Sequence, residues 1–379
     1  MLHNMEINIV LDTNIYRHNP GRNNLDFKAI EKLALAGKLT LHIPYIVERE
    51  FITQQQEYYS KDIDKVLSGV TSLIKKELPD NTLSIFRSFM NELEDHVDDI
   101  NSNAENLFIN WVEHIGANRV PICLDQAKAA MDDYFEGNLP FKTVKKRDDI
   151  PDGFIVQAIK TINDKSSGRV YVVSNDIKVR ETFEDSYITT FCNLSELIGS
   201  DVIQSRLRDL DLFPDIEINI EEFKRYEDDK GVITKSIRSK IGTKILWKAI
   251  EGRGSISDDF YEKTISGYDE PENIIITMDE LTYYGNGMFG VPFILDISVT
   301  GIFNIHKSEY YSMSRQDTSL LSVTDNNEFT LAAEKKFDVS VEGVVSVAIN
   351  RDNYKSDISF CIDTDDIAID YIDSIRLAG

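Results

Sequence analysis

Residues 7–11, INIVL, form a short and almost wholly apolar run that stops at an acid, Asp12. A strand of that kind, without polar alternation, suits a sheet covered on both faces, which in practice means parallel strands flanked by helices. The chain that follows keeps to the scheme. Residues 25–36 carry Phe27, Ile30, Leu33 and Ala34 at helical spacing and stop at Gly37. LTLHI at 39–43 predicts a second strand, and Pro44 opens a helix that places Glu50 in its early turns. Pro151 opens another, with Phe154, Ile155, Ala158, Ile159 and Ile162 on one face, before strands at 169–174 and near 187–191. Strand and helix in alternation predict a parallel α/β sheet.

Two regions depart from this alternation. Residues 57–146 read as helical and polar-faced, with breaks near Pro79 and at 116–121, and so as a mainly helical insertion into a first domain of residues 1–205. After about residue 210 the character changes. Residues 211–229 are acidic, and a basic stretch containing Lys230, Lys235, Arg238, Lys240, Lys244 and Lys248 reads as an amphipathic helix, so residues 206–250 are expected to form a helical connector. Packing against the acidic second half is the plainer explanation of those charges. From 251 to 379 the pattern is β-rich, a recognition or assembly domain. There FILDISVTGIFNI and KFDVSVEGVVSVAI, aligned on Asp296 and Asp338, suggest equivalent strands of a sandwich.

Composition narrows the chemistry. Cys123, Cys192 and Cys361 lie far apart without a CxxC pair, and the 6 histidines lack HExxH spacing, so neither disulfides, a zinc site nor a Cys/His nucleophile is indicated. No apolar run approaches a membrane span, and no secretory signal is evident, which leads us to expect a cytoplasmic protein with no membrane partner. The net charge of −24 argues at first against a nucleic-acid partner. It is weighted toward the second half, however, at −9 over residues 1–210 and −15 over 211–379, and the first half contains the basic group Lys142, Lys145, Lys146 and Arg147.

Chemistry must then rest on carboxylates. In a parallel sheet the ligand site lies beyond the carboxyl ends of the strands. Asp12 follows the first strand, Asp176 follows a later one in VVSND, Asp152 opens a helix in PDGF, and Glu50 rides on the helix after the second strand. Four converging carboxylates raise one another's pKa unless a cation intervenes. Mg²⁺ or Mn²⁺ prefers such oxygen ligands and keeps waters for a substrate's phosphate oxygens, which fits phosphodiester hydrolysis. Each acid also has an ordinary explanation. Asp152 favours a helix N-terminus, Asp12 and Asp176 sit in turns, and Glu50 alone would be a surface residue.

DTN at 12–14, P-x-x-V-x-x-E-F at 44–51, PDGFIVQAI from Pro151 and SND at 174–176 occur in an order that resembles the PIN-domain nucleases. The resemblance is to a PIN-like group with a helical insertion and a β-rich C-terminal extension, and it covers about residues 5–200. It implies a metal-dependent endoribonuclease or, less often, a DNA nuclease, with Asp12, Glu50, Asp152 and Asp176 binding or positioning metal. Asn14 and Ser174 or Asn175 would be polar supports. Lys142, Lys145, Lys146 and Arg147, just before the acids, would hold a phosphate backbone, unless they are only a solvated loop. Glu48 lies about 200° around the helix from Glu50, so only one faces the site, and the motif favours Glu50. Asp148 and Asp149 remain candidates for a further ligand.

Other readings are weaker. An aspartyl-phosphate enzyme of the haloacid dehalogenase pattern needs a second Asp where this chain has Asn14, and no GxxxxGK[ST] loop is present. A non-catalytic PIN-like binding protein stands as the alternative from another class. A nuclease with an appended domain for a protein partner or self-association fits a toxin or defence effector by analogy alone.

Overall fold

The computed structural model describes residues 6–141, 143–184, 186–211, 216–251, 263–349, 362, 365 and 367–378. The chain divides into two compact units, Met1–Arg206 and Leu207–Gly379. In the first, β1 (Ile7–Leu11) is buried along its whole length, and Asp12 caps the short α1 (Thr13–His18) by accepting from the Thr13 N–H. Asn24 caps α2 (Leu25–Leu35), with Gly37 at a positive φ just beyond it. There follow β2 (Thr40–Pro44), α3 (Tyr45–Ile74), α4 (Asp80–Asp95), α5 (Val97–His114), β3 (Asn118–Val120) and α6 (Leu124–Glu136). The unit continues through α7 (Ile150–Lys165), β4 (Arg169–Val173), α8 (Ile177–Glu181), β5 (Thr189–Phe191) and α9 (Leu194–Gly199), and α10 (Asp201–Asp211) carries the chain onward.

The five strands form one parallel sheet in the order β3-β2-β1-β4-β5. β1 is central and buried on both faces, and Asp12 at its carboxyl end is thereby flanked by the ends of β2 and β4.

The region 57–146 is not wholly an insertion outside the sheet. β3 lies within it and pairs with β2, His42 opposite Asn118, as an edge strand too short and too polar (NRV) to announce itself. α5 belongs to the core as well, burying Ala104, Phe108 and Val112. What projects is the far part of α3 together with α4. Of α3's 30 residues the first three turns bury Val47, Phe51, Ile52 and Gln55, whereas only Ile63 is buried beyond them, and α4 buries none.

The second unit has α11 (Ile216–Lys230) and α12 (Val232–Ile245), followed by β6 (Thr264–Tyr268), β7 (Glu272–Ile276), β8 (Thr282–Gly285), β9 (Met288–His306), β10 (Ser322–Asp325), β11 (Thr330–Ala348) and β12 (Ile367–Leu377). Among the described residues these seven strands form a single antiparallel sheet. The two similar sequence segments are neighbours in it, not counterparts in facing sheets. β9 and β11 pair along all 19 residues of each, with Asp338 opposite Ser298 and Ser340 opposite Asp296. Alternation sets the buried face: Phe293, Leu295, Ile297 and Val299 on β9 and Val339 and Val341 on β11. α12 packs on β12 and buries Ile233, Ile237, Ile241 and Ile245. Lys235, Arg238 and Lys244 line its exposed side, Lys240 is half-buried and donates to the Ile367 carbonyl, Lys230 ends α11, and Lys248 lies past the end of α12. No helix among the described residues is long and apolar enough to cross a membrane.

Candidate active site

Asp12 stands at the end of the central strand, 4% exposed, and its carboxylate is held by three donors. The Thr13 N–H donates to Oδ1 at 2.7 Å, while Asn14 Nδ2 and Ser174 Oγ donate to Oδ2 at 2.8 and 2.5 Å. Ser174 is fully buried just past β4, where its Oγ also accepts from the Asp176 N–H at 3.1 Å. Asn14 Oδ1 accepts from the Asn175 N–H at 3.2 Å, so the DTN and SND segments are tied by their own polar groups across adjacent strand ends. That network accounts for the small polar residues flanking both acids. Asp176 caps α8 through the Lys178 N–H at 2.7 Å.

Glu50 joins from α3. Its Oε2 accepts from Thr13 Oγ1 at 2.7 Å, an anchor that the sequence patterns do not single out, although Thr13 is the middle letter of DTN. Glu48 points elsewhere, as two residues along a helix require. It is buried and receives Arg119 in a fork, Nε to Oε2 at 2.7 Å and Nη2 to Oε1. No local signal reveals that pair, since its partners are 71 positions apart. Asp152 lies in the first turn of α7, and the next residue explains the DG pair. A Cβ at Gly153 would stand 2.5 Å from Cζ of Phe141, so only glycine admits that ring.

Asp149 is buried but already engaged, by Lys178 Nζ at 2.9 Å and Lys146 Nζ at 3.4 Å, whereas Asp148 is exposed. The basic group therefore divides. Lys146 is half-buried and bound to Asp149, Lys145 and Arg147 are exposed, and Lys142 lies outside the described residues.

Asp12, Glu50, Asp152 and Asp176 are within electrostatic reach of one another. Burial, opposed by the Ser174 and Thr13 hydrogen bonds and aided by the charges of Glu50 and Asp176, raises the Asp12 carboxyl above its ordinary range. Burial first, and then Asp12, Asp176, Asp149 and Glu50, push Asp152 up to about 7. None of the four acids forms an ion pair with a Lys or Arg among the described residues. No three acid, histidine or cysteine side chains among the described residues stand close enough to make a finished metal cage.

The donor set nonetheless fits a hard divalent ion. All its ligands are oxygens, none of the four is directly ion-paired although Lys178, held by Asp149, adds its charge near Asp176, and Mg²⁺ in particular is held by one or two carboxylates with the remaining positions left to water and phosphate.

This raised acid gives the metal-free protein a stability that depends on pH. Between the unfolded value near 4 and the folded value of about 7, the folded state holds the Asp152 proton and the unfolded state does not. Stability should therefore fall as pH rises across that window and level off above it. Urea melts in chelator from pH 4.5 to 8 should show a shallower fall for Asp152→Asn than for wild type, and identical slopes would remove Asp152 from the cluster.

Residues 9–178 match the family model described as PIN domain. No curated protein and no solved structure matches the chain.

Proposed function

Residues 9–178 are a PIN domain, a family of metal-dependent nucleases, and from that premise we propose that this protein is an Mg²⁺- or Mn²⁺-dependent endoribonuclease acting through Asp12, Glu50, Asp152 and Asp176. The observation that carries the reading is Asp12, a buried carboxylate fixed by three donors beside three other acids with no lysine or arginine paired to any of them. A carboxylate held so firmly but left without a counter-ion is a ready ligand for a cation. Asp12 and Asp152 would hold the metal, with Glu50 and Asp176 bearing on it directly or through water. When bound, such an ion lowers the pKa of an attacking water and stabilises the leaving oxygen of a phosphodiester.

The chain's own residues do the rest. Ser174, Asn14 and Thr13 fix the orientation of Asp12, and Thr13 fixes Glu50 at the same time. Asp152, whose pKa is raised by burial and by its acidic neighbours in the metal-free protein, would give up its proton as it takes up the cation. Lys145 and Arg147, exposed beside Asp152 in the chain, offer cations to a phosphate backbone, and Lys146 does so only in part because Asp149 already holds it. RNA is preferred over DNA on the family likeness, and the second unit is assigned to a protein partner or to self-association.

The absence of a three-ligand cage among the described residues favours the competing reading, a PIN-like protein that binds without cutting. A panel of end-labelled single-stranded and hairpin RNAs and DNAs, incubated in chelator and then with Mn²⁺ or Mg²⁺, separates the two. We expect cleavage of RNA only with metal, slowing as salt rises. Binding without cleavage under every metal would establish the competing reading, and cleavage confined to DNA would reverse the substrate assignment.

A further inference from the structure

The far part of α3 and the whole of α4 form a projecting arm of two antiparallel helices. Arg49 donates to Glu105, Gln56 to the Asn101 carbonyl and the Thr71 hydroxyl to the Met90 sulfur, so the partner's number falls as that of α3 rises. Half-buried apolar residues at coiled-coil spacing mark the seam between them, Leu67, Val70 and Ile74 on α3 and Phe86, Met90 and Leu93 on α4.

That seam leaves two flanks, each one residue, or about 100°, away from it. Antiparallel helices wind in opposite senses when viewed along one direction. Residues that precede the seam on both helices therefore fall on one side of the arm, and residues that follow it fall on the other. The following side is polar, with Ser68 and Ser72 on α3 and Arg87 and Asn91 on α4. The preceding side carries Val66, Leu73, Ile85 and Phe89, which are 45%, 38%, 65% and 44% exposed. Single exposed apolar residues are ordinary, but four gathered on one side of an arm whose other side is polar form a docking face.

Gly69 lies at the centre of that face, between Val66 and Leu73. A glycine inside an exposed helix weakens it, and nothing in the chain stands within 4 Å of where a Cβ would be. No contact within the described residues calls for glycine here, whereas a helix crossing closely from outside does.

The charges select the occupant. Asp62 lies on the same face toward the base of the arm, and Lys76 follows the end of α3, so the two are equidistant from Gly69 in the chain. Lys76 makes no ion pair among the described residues, and Asp62 has the exposed Lys65 at 3.0 Å. A second copy laid tip to base about a two-fold axis at Gly69 brings Lys76 of each copy over Asp62 of the other and Val66 over Leu73. The parallel alternative sets Asp62 against Glu92, acid on acid. We propose that this protein forms a homodimer through the arm in the tip-to-base arrangement, with α3 crossing its counterpart at Gly69. The face is roughly 24 Å long and 20 Å wide, about 500 Å² per copy, and specific interfaces begin at about 1,000 Å² over both partners.

Sedimentation velocity of the full chain in chelator, from roughly 1 to 100 µM, tests this. Wild type should dimerise with a Kd of roughly 10 µM or tighter. Phe89→Glu should raise that Kd by about tenfold or more with an unchanged circular dichroism spectrum, since the ring it replaces is exposed. Asp62→Lys and Lys76→Glu should each weaken the dimer by about fivefold, and the two together should restore it, because the pair is then reversed and intact. The proposal is overturned if wild type stays monomeric at about 100 µM, or if the double variant is no tighter than either single one. It is equally overturned if Phe89→Glu dimerises as tightly as wild type, which would move self-association to another surface.

Discussion

Asp12→Asn is expected to lower metal-dependent cleavage of a labelled RNA by more than about a hundredfold, and Ser174→Ala by roughly 10- to 100-fold, with both proteins folded. The contrast follows from their places in the network. Asp12 supplies the charge, and an amide there removes it and turns an NH₂ group toward donors that need acceptors, either Thr13 N–H or Asn14 and Ser174. Ser174 only orients the carboxylate, so its loss leaves Asn14 and Thr13 still holding Asp12. Single-turnover rates at saturating enzyme isolate the chemical step from binding. Equal, near-wild-type rates for both variants would contradict the assignment of Asp12, while a larger loss in Ser174→Ala than in Asp12→Asn would reverse the two roles.

Phe108→Ala should cost about 3–5 kcal/mol of stability, the range for emptying a buried aromatic position. Phe108 is fully buried on α5, its ring centroid 4.8 Å from that of Phe51 and 5.4 Å from that of Tyr16 in an edge-on pair, with the Arg22 guanidinium 5.2 Å over its face. Tyr16 lies on α1, the helix that Asp12 caps, and Phe51 directly follows Glu50. The cluster thus joins a helix from the apparent insertion to the segments that carry Asp12 and Glu50, and cleavage should fall along with stability. Urea titration of the metal-free protein measures the loss. A change below about 1 kcal/mol would mean that α5 is a dispensable addition.

The features legible in the sequence are those set by local pattern. β1, β2 and β4 each read as an apolar run, and the acids at or after their ends follow from the geometry of parallel sheets. The helical angle lets only one of Glu48 and Glu50 face the site, the motif favours Glu50, and the structure turns Glu48 to Arg119. What was not legible depends on distant partners. β3 exists because His42 and its neighbours offer an edge to pair with, and its three residues carry no pattern of their own. Asp149 reads like Asp148 in the chain, and only Lys178 and Lys146 mark it as engaged. The likeness of β9 and β11 was visible, but not that they lie side by side, because similar strands have the same alternation in one sheet or in two.

The central claim is that the carboxylates around Asp12 take up a divalent cation. Thermal melts of wild type and Asp12→Asn, in chelator and in excess Mn²⁺, test it without knowledge of the substrate. A cation that binds only the folded state adds roughly 2.7 kcal/mol at a hundredfold excess over its Kd. The account predicts a clear rise in Tm for wild type on adding Mn²⁺. For Asp12→Asn it predicts a much smaller rise with metal, whatever the balance in chelator between the lost repulsion and the amide turned toward buried donors. The same metal-induced rise in both proteins would contradict it.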